Sequence, residues 1–338
     1  MAKYNTIAVI YGSDTSESEV SCRSGEFVAS RIDGNVYDIY EIYARFGEWS
    51  LVAYKKKNSM RVTFPEGARP SIDKNDFSVS VLGEKVRFDY AYIVQHGAPG
   101  ETGQLQGYLE IMGVPFSACD SFVSAIAFDK YACKSNVRDS GLVKCAPDCY
   151  IREGLNISAF CEKVVNTLKV PVFVKPTKGG SSFGVTRVAN PDELASAVQY
   201  AFSEGPTVLV EQGITGRELT CAAYSDGKEV KALPLIEIVS DNEYFDYDAK
   251  YNGHSKEICP AQVNELQESL VKNTTCAIYS LLGCKGVVRM DYILADDGLY
   301  FLEINTIPGM TSASLVPKMV RTAGMDMTAF LSTIIESS

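Results

Sequence analysis

The hydrophobic positions of the first hundred residues alternate between short apolar runs and amphipathic stretches. Thr6 to Tyr11 is a mostly apolar run typical of a buried strand, and Glu19 to Ile32 follows it, after a polar turn, as a predicted helix. Further strands are predicted at Asn35 to Ile42 and Tyr90 to Val94, with short strands and loops between residues 48 and 90. This alternation predicts an open α/β arrangement, in which ligands bind at the carboxyl ends of the strands.

The pattern changes after residue 100. Helices are predicted at Gln104 to Met112 and Ser124 to Val137, and a long one at Val263 to Leu282 in a strand-rich last third. Between residues 145 and 212 the pattern favours antiparallel strands flanking two helices, with the strands at Cys149 to Arg152, Val170 to Lys175, Val185 to Val188 and Thr207 to Glu211 and the helices at Asn156 to Leu168 and Pro191 to Ser203. A chain of 338 residues has room for two or three domains. No repeat or low-complexity linker separates them, so we expect sites in the clefts between them.

Two strands joined by a hairpin are predicted between Gly286 and Asn305. The sequence Asp296-Asp297-Gly298 suits a three-residue loop with Gly298 in the left-handed conformation, which would pair Ala295 with Leu299. Counting back from that loop places four polar side chains on one face, with Asp291 opposite Glu303 and Arg289 opposite Asn305. The other face, with Val288, Met290, Leu294, Leu302 and Ile304, is apolar and predicts a core face.

The paired carboxylates of this hairpin indicate a cation site. Two carboxylates directly opposite each other repel, so positive charge is expected between them. Carboxylate and amide oxygens suit Mg²⁺, a hard cation that proteins often share with substrate phosphates. The alternative is the solvated polar face of an ordinary hairpin.

Two further segments suggest nucleotide binding. A glycine-rich loop runs from Lys175 to Val185 between two strands, and its backbone N–H groups and serine hydroxyls suit phosphate oxygens. It is not a Walker A loop, because a strand follows it rather than a helix, and a flexible hairpin is the alternative. The strand ending at Glu211 runs into a turn before Glu218, where backbone and carboxylate could meet an adenine edge and a ribose. Taken alone, that second segment is better interpreted as an edge strand with a solvated turn.

Composition excludes several classes of protein. The formal net charge is −10 without a basic stripe, which argues against nucleic-acid binding. No run of 18 apolar residues predicts a membrane span, and the N-terminal apolar run is too short for a signal peptide. The ten cysteines lack metal-ligand spacing near a histidine, and many lie in apolar segments. They predict no zinc site and a reducing, cytoplasmic location.

These pieces together resemble the D-alanine–D-alanine ligase family of ATP-grasp enzymes over nearly the whole chain. The matching segments are Glu17 to Ser21, His96-Gly97, Gly100-Glu101, Leu105 to Glu110, Phe128 to Lys130, Val174 to Pro176, Gly180 to Gly184, Glu211, Glu218, Tyr247 to Tyr251, Arg289 to Asp291 and Glu303 to Pro317. The resemblance implies an α/β (α+β) fold, the three-domain ATP-grasp fold. Its domains are an N-terminal open α/β domain at residues 1–118, a central subdomain at 119–212 and a C-terminal subdomain with the metal site at 213–338.

The resemblance also implies an activity and its residues. The expected reaction joins two D-alanines through an acylphosphate formed from ATP, for peptidoglycan synthesis, and the expected partners are these small molecules and a second subunit in a homodimer. The residues implied for ATP are Lys130, Lys175, Ser182, Glu211, Ile214 and Glu218, and those for two Mg²⁺ ions, which Mn²⁺ could replace, are Asp291, Glu303 and Asn305. The residues implied for catalysis are Glu17, Ser181, Tyr251, Arg289 and Gly309, and those for substrate binding are His96, Lys250 and Ser314.

Within this resemblance, a loop between Asn242 and His254 is expected to close over the site, held by a hydrogen-bonded set of Ser181, Tyr251 and Glu17. The chain departs from the family pattern at Tyr11-Gly12, Thr102 and Ala313, which affects no charged or metal-binding group.

Three alternatives remain at this stage. A D-alanyl-D-lactate ligase would commonly carry Phe or a different loop at position 251, where this chain has Tyr251. A non-catalytic nucleotide-binding regulator would lack some of the charged hairpin residues, all of which are present. A nicotinamide-dependent oxidoreductase needs Gly-x-Gly-x-x-Gly after the first strand, and the sequence from Tyr11 to Ser16 does not provide it.

Overall fold

The computed structural model describes residues 2–180, 183–240 and 255–338, and in these ranges the strands form four sheets. The first sheet has five strands in the order β4-β3-β2-β1-β8. They are β1 (Thr6–Tyr11), β2 (Asp38–Arg45), β3 (Glu48–Lys55), β4 (Val62–Thr63) and β8 (Tyr90–Ile93). Strand β1 lies parallel to both β2 and β8, so their carboxyl ends meet at one edge, as the open α/β pattern predicted. Helices α1 (Ser18–Arg31) and α2 (Gln104–Met112) follow that edge.

The stretch between β4 and β8 contains a small antiparallel sheet. Its strands are β5 (Ile72–Asp73), β6 (Ser78–Val81) and β7 (Glu84–Arg87), and a 3-10 turn at Glu66–Ala68 precedes them. Its apolar side chains Ile72, Phe77 and Val79 pack into the core beneath the first sheet. This stretch therefore extends the core of the first sheet.

The single helix predicted from Ser124 to Val137 is wrong, because two helices occupy this segment. They are α3 (Ser121–Phe128) and α4 (Lys130–Asp139). Asp129 separates them, and its carboxylate accepts from the N–H groups of Tyr131 and Ala132, both at 3.1 Å. A short acidic side chain that caps the second helix interrupts the first, although the apolar periodicity continues through both.

The second sheet has four antiparallel strands in the order β10-β13-β11-β12. They are β10 (Asp148–Arg152), β11 (Val172–Pro176), β12 (Thr186–Val188) and β13 (Thr207–Gln212), and they are covered by α5 (Ile157–Thr167), a 3-10 turn at Pro191–Glu193 and α6 (Leu194–Phe202). Strand β13 pairs with β10 on one side and β11 on the other. The expectation of an edge strand at Glu211 is therefore wrong, and the carboxylate of this residue is buried within the sheet region.

The third sheet has seven strands in the order β17-β16-β14-β18-β19-β9, with β15 beside β14. They are β9 (Lys144–Cys145), β14 (Arg217–Ser225), β15 (Val230–Ala232), β16 (Ile236–Ser240), β17 (Ser255–Ile258), β18 (Val287–Ala295) and β19 (Gly298–Asn305). One apolar face packs against α3, α4 and the long helix α7 (Glu265–Leu282). The chain ends with α8 (Leu315–Thr322) and α9 (Met327–Ser337), which pack with α1 and the first sheet in one core cluster.

The β18–β19 hairpin brings together the predicted residue pairs by a different route. Its turn has two residues, so Ala295 pairs with Gly298 and not with Leu299. A bulge opposite Asp291 and Tyr292 then leaves Leu302 as an extra residue and restores the predicted register, with Asp291 opposite Glu303 and Arg289 opposite Asn305. The predicted loop was wrong by one residue, and the bulge compensates for it.

Two further findings concern the exclusions made from composition. No helix in the described ranges has the length and apolar character needed to cross a membrane. All ten cysteines lie within those ranges, and none of them forms a disulfide.

Candidate active site

One face of the third sheet gathers the predicted hairpin residues. In β18, Arg289 forms a bidentate ion pair with Asp291, with Nε 3.0 Å from Oδ1 and Nη2 2.9 Å from Oδ2. Burial alone would lower the pKa of Arg289, but the attraction of Asp291 outweighs it and raises that pKa above its usual value. Glu218 on β14 lies opposite Ile293, so it shares this face with Asp291 two residues along the strand.

Each of the two paired carboxylates has a basic side chain beside it. Arg289 neutralises Asp291, and Lys130 at the start of α4 places its Nζ 3.3 Å from Glu303 Oε2. The Lys130 ammonium also donates to the carbonyl of Gly179 at 2.9 Å, which joins the glycine-rich loop to the hairpin. These contacts put a lysine between the predicted phosphate loop and the predicted metal ligands.

The donor set on this face fits Mg²⁺. In the part of the chain that the structure describes, no three His, Cys, Asp or Glu side chains come close enough to hold a metal, so an amide oxygen is a useful third ligand. Asn305 lies on the same face as Glu303 and provides one. Its Oδ1 accepts from the N–H of Ile307 at 3.1 Å, which leaves a second lone pair.

The predicted nucleotide residues meet between α4 and the second sheet. Lys175 on β11 and Glu211 on β13 form an ion pair, and Lys134 on α4 contacts the other oxygen of the same carboxylate. Burial would raise the pKa of Glu211, but the two lysines lower it to about 2, so this carboxylate is ionised. Ile214 follows in the loop between β13 and β14. Sequence reasoning missed Lys134, because a lysine on an amphipathic helix is normally a solvated one.

Glu17 and His96 lie at the carboxyl edge of the first sheet. A Cβ built on Gly97 would lie 3.2 Å from Glu17 Oε2, and one built on Gly180 would lie 3.1 Å from both Glu17 oxygens. Glu17 therefore lies between the first sheet and the described part of the glycine-rich loop at Gly180. Ser181, which was predicted to contact Glu17, lies outside the described residues.

His96 is buried and holds two segments together. Its Nδ1 lies 2.9 Å from the carbonyl oxygen of Ile307, and its Nε2 lies 3.0 Å from Ser24 Oγ. Because a carbonyl only accepts, Nδ1 carries the proton and Nε2 accepts from Ser24, whose Oγ accepts in turn from the N–H of Met310 at 3.2 Å. Burial lowers the pKa of His96, which is consistent with a neutral ring. Both ring nitrogens are engaged, so this residue supports the site through Ser24 and Ile307.

Gly309 and Ser314 are in contact at the other end of this segment. A Cβ on Gly309 would lie 2.9 Å from Ser314 Oγ, so a side chain at position 309 would displace that hydroxyl. Ser314 precedes α8, and its Oγ accepts from the N–H of Thr311 at 3.0 Å. The hydroxyl and the glycine N–H are thus held near each other at the end of β19.

Glu101 is a further site residue that sequence reasoning quoted but gave no role. Its Oε2 accepts from the N–H of Gly97 at 2.7 Å. Burial, followed by the charge of Glu17, raises its pKa to about 7. The predicted residues Ser181, Ser182, Lys250 and Tyr251 lie outside the described residues.

Comparison with known protein families matches both halves of the chain. A model described as the D-ala D-ala ligase N-terminus matches residues 6–119, and one described as the D-ala D-ala ligase C-terminus matches residues 149–336. A D-alanine–D-alanine ligase from Parabacteroides distasonis is 43% identical over 98% of this chain and 96% of its own length. One from Phocaeicola vulgatus is 41% identical over 98% of both chains.

Solved structures show the same fold. The VanG D-Ala:D-Ser ligase from Enterococcus faecalis superposes with a TM-score of 0.87 at 30% identity and covers 99% of both chains. The D-alanine–D-alanine ligase from Bacillus anthracis has a TM-score of 0.74 at 32% identity, over 98% of this chain and 97% of its own.

Proposed function

Because this chain belongs to the D-alanine–D-alanine ligase family, we propose that the side chains gathered between its three larger sheets perform the reaction of that family. The chain has the ATP-grasp fold, and it joins two D-alanines with the use of ATP and a divalent metal. The dipeptide it makes supplies peptidoglycan synthesis. The observation that carries the assignment of the site is Lys130, which contacts both Glu303 of the hairpin and Gly179 of the glycine-rich loop.

The nucleotide would lie between the second and third sheets. Glu211 and the backbone near Ile214 would bind adenine, Glu218 the ribose hydroxyls, and Lys130 and Lys175 the phosphates. Glu218 and the hairpin carboxylates share one face of the third sheet, which supports a nucleotide lying along it with its phosphates toward Glu303. Ser182, outside the described residues, is proposed for the same phosphates from the resemblance.

Asp291, Glu303 and Asn305 would hold two Mg²⁺ ions, with Mn²⁺ as an alternative. When bound, these ions neutralise phosphate charge as the γ-phosphoryl group is transferred. In the protein, Arg289 pairs with Asp291 and Lys130 pairs with Glu303, and these contacts orient the two carboxylates.

The two D-alanines would bind at the ends of the first sheet and of β19. Glu17 would accept hydrogen bonds from the ammonium of the first D-alanine. The carboxylate of this D-alanine attacks the γ-phosphoryl group of ATP and becomes an acylphosphate, with ADP as the leaving group. The amine of the second D-alanine then attacks the acyl carbon, and phosphate leaves. Ser314 would donate to the carboxylate of that second D-alanine.

Arg289 and the N–H of Gly309 would stabilise the tetrahedral oxyanion of this second step. One such donor contributes roughly 3 kcal/mol in comparable sites. Lys250 and Tyr251 would belong to a closing loop, latched through Ser181 and Glu17, that keeps water from the acylphosphate. These two residues and Ser181 are proposed from the resemblance alone.

Three further properties are proposed with this function. The chain would act in the cytoplasm, form a homodimer and consist of domains at residues 1–118, 119–212 and 213–338. The different main sheets of these regions support the division, although β9 belongs to the third sheet and α3 and α4 pack on it.

Release of phosphate from ATP, measured separately with D-alanine, L-alanine, D-serine and D-lactate, tests the assignment. We expect turnover with D-alanine and a dipeptide product. L-alanine tests stereochemistry, and D-serine is included because a structural relative is a D-Ala:D-Ser ligase. A wild-type enzyme that makes mainly the D-lactate ester at neutral pH would contradict the dipeptide assignment.

A further inference from the structure

A buried charge cluster joins α4 to the second sheet. Lys134, Lys175 and Glu211 form it, with Lys134 on one oxygen of the carboxylate and Lys175 on the other. The side chains of Lys134 and Glu211 are only 1% and 5% exposed, whereas that of Lys175 is 15% exposed. Lys134 is thus the most deeply buried cation of the three.

The charges of this cluster do not balance. Two ammonium groups and one carboxylate leave a net charge of +1, although a single lysine would neutralise Glu211. Burying a second ammonium carries a desolvation cost that an uninvolved lysine would not incur. Asp148 and Glu303 add negative charge near Lys175, whereas Lys134 pairs with Glu211. A second state of the protein, in which Lys175 leaves Glu211, would account for the buried Lys134.

Nucleotide binding provides that state. Lys175 is proposed for the phosphates of ATP, and an ammonium that turns toward a phosphate weakens its contact with Glu211. Without a second partner, Glu211 would then be a buried carboxylate with no cation beside it, which is strongly unfavourable. Lys134 contacts the opposite oxygen, so it can keep its ion pair with Glu211 when Lys175 turns away.

We propose that Lys134 is a positioning residue for adenine recognition, which holds Glu211 ionised and oriented while Lys175 serves the phosphates. An ionised carboxylate has about four acceptor directions, so Lys134 leaves room for the exocyclic amine of adenine. The same carboxylate repels the 6-oxo group of hypoxanthine. The inference rests on the proposed function, in which Glu211 faces adenine.

The ratio of kcat/KM for ATP to kcat/KM for inosine triphosphate reports this role. We expect Lys134→Met to lower the ratio roughly ten-fold, the effect of one lost hydrogen bond to a charged group, mainly through the KM for ATP. In Glu211→Gln the ratio also falls, because an amide can turn its NH₂ toward the oxo group. In the E211Q background, Lys134→Met should change the ratio by less than about two-fold, since Lys134 acts through Glu211.

Lys144→Met is the matched control, because this lysine is exposed and pairs with Asp297 at the hairpin turn. It should leave the ratio unchanged. If Lys134→Met does not fold, Lys134→Arg replaces it, since a longer planar head displaces the charge and should also lower the ratio.

Two results would overturn the inference. One is a folded Lys134 variant in which the ratio of kcat/KM for ATP to kcat/KM for inosine triphosphate is unchanged. The other is a Lys134→Met change that lowers this ratio equally in the wild-type and E211Q backgrounds. Either would make Lys134 a structural ion-pair partner only. Failure of the wild-type enzyme to release phosphate with D-alanine would instead contradict the proposed function, so the two failures are distinguishable.

Discussion

At the residue scale, Arg289 is the side chain whose geometry is most specific to its proposed chemistry. Its planar head binds Asp291 through two parallel hydrogen bonds, which fixes the direction of its remaining N–H groups. A lysine keeps the charge but cannot form this fork. Orientation, and not charge alone, is therefore what the residue contributes.

We expect Arg289→Lys to lower kcat by roughly ten-fold or more and to leave the affinity for ATP nearly unchanged. Steady-state kinetics at saturating D-alanine measures both. Arg217→Lys is the control, because Arg217 makes the same bidentate contact with Glu237 in the same sheet, with both distances at 2.8 Å. If ATP affinity collapses while kcat is spared, Arg289 serves the nucleotide and not the oxyanion.

Glu101 predicts a pH dependence of stability. Its pKa is about 7 in the folded protein against an ordinary value of 4.5, so the folded state holds a proton that the unfolded state releases. The contribution of this group to stability is fully present below pH 4.5 and is lost as the pH rises through about 7. Glu101→Gln should remove that decline.

Urea unfolding of the nucleotide-free protein between these pH values measures the effect. The free energy of unfolding of the wild type should fall more steeply with rising pH than that of Glu101→Gln. Parallel curves for the two proteins would show that Glu101 titrates normally.

At the scale of the secondary-structure elements, the β18–β19 hairpin combines structural and chemical roles. Glu303→Ala should abolish turnover with ordinary Mg²⁺, because it removes a proposed metal ligand. The free energy of unfolding should change by less than about 1 kcal/mol, since Glu303 is partly exposed and its ion pair with Lys130 is screened by solvent. Asp297→Ala, at the exposed turn of the same hairpin, should stay active. Normal turnover of Glu303→Ala would refute the metal assignment.

The elements also show what the sequence could and could not predict. Alternating side chains identified the hairpin pairs, and apolar periodicity identified the helices α1, α2, α5, α6 and α7. The turn length was wrong because a β-bulge leaves no signal in local sequence. Asp129 was missed as a helix boundary because apolar positions continue on both sides of it. Lys134 was missed because its partner Glu211 is 77 residues away, and only the fold brings the two together.

At the scale of the whole molecule, residues distant in sequence hold the site together. Ser24 on α1 links the first sheet to the segment after β19, because its Oγ lies between the N–H of Met310 and His96 Nε2. The segment so anchored contains Gly309, one of the proposed oxyanion donors. The position of the Gly309 N–H thus depends on packing between residues near opposite ends of the chain.

We expect Ser24→Ala to lower kcat about five-fold, the rate equivalent of one net hydrogen bond, without changing the KM for ATP. Ser30→Ala is the matched control, since Ser30 lies on the same helix and donates to the helix carbonyl of Phe27. Equal kinetics in the two variants would show that the Ser24 contact does not position Gly309.

The bulge in the hairpin has a consequence for how such a protein can change. Strand β18 pairs with β14 in unbroken register from Val287 to Leu294, so the side chains of Arg289 and Asp291 keep their positions whatever happens at the turn. The irregularity is confined to β19 at Leu302. Evolution could therefore add one residue to the turn and remove one at the bulge. Together these two changes would keep Arg289 and Asp291 opposite Asn305 and Glu303. An engineer could likewise place an insertion or a label at Asp296–Asp297, about six residues from the chemistry, and expect the enzyme to tolerate it.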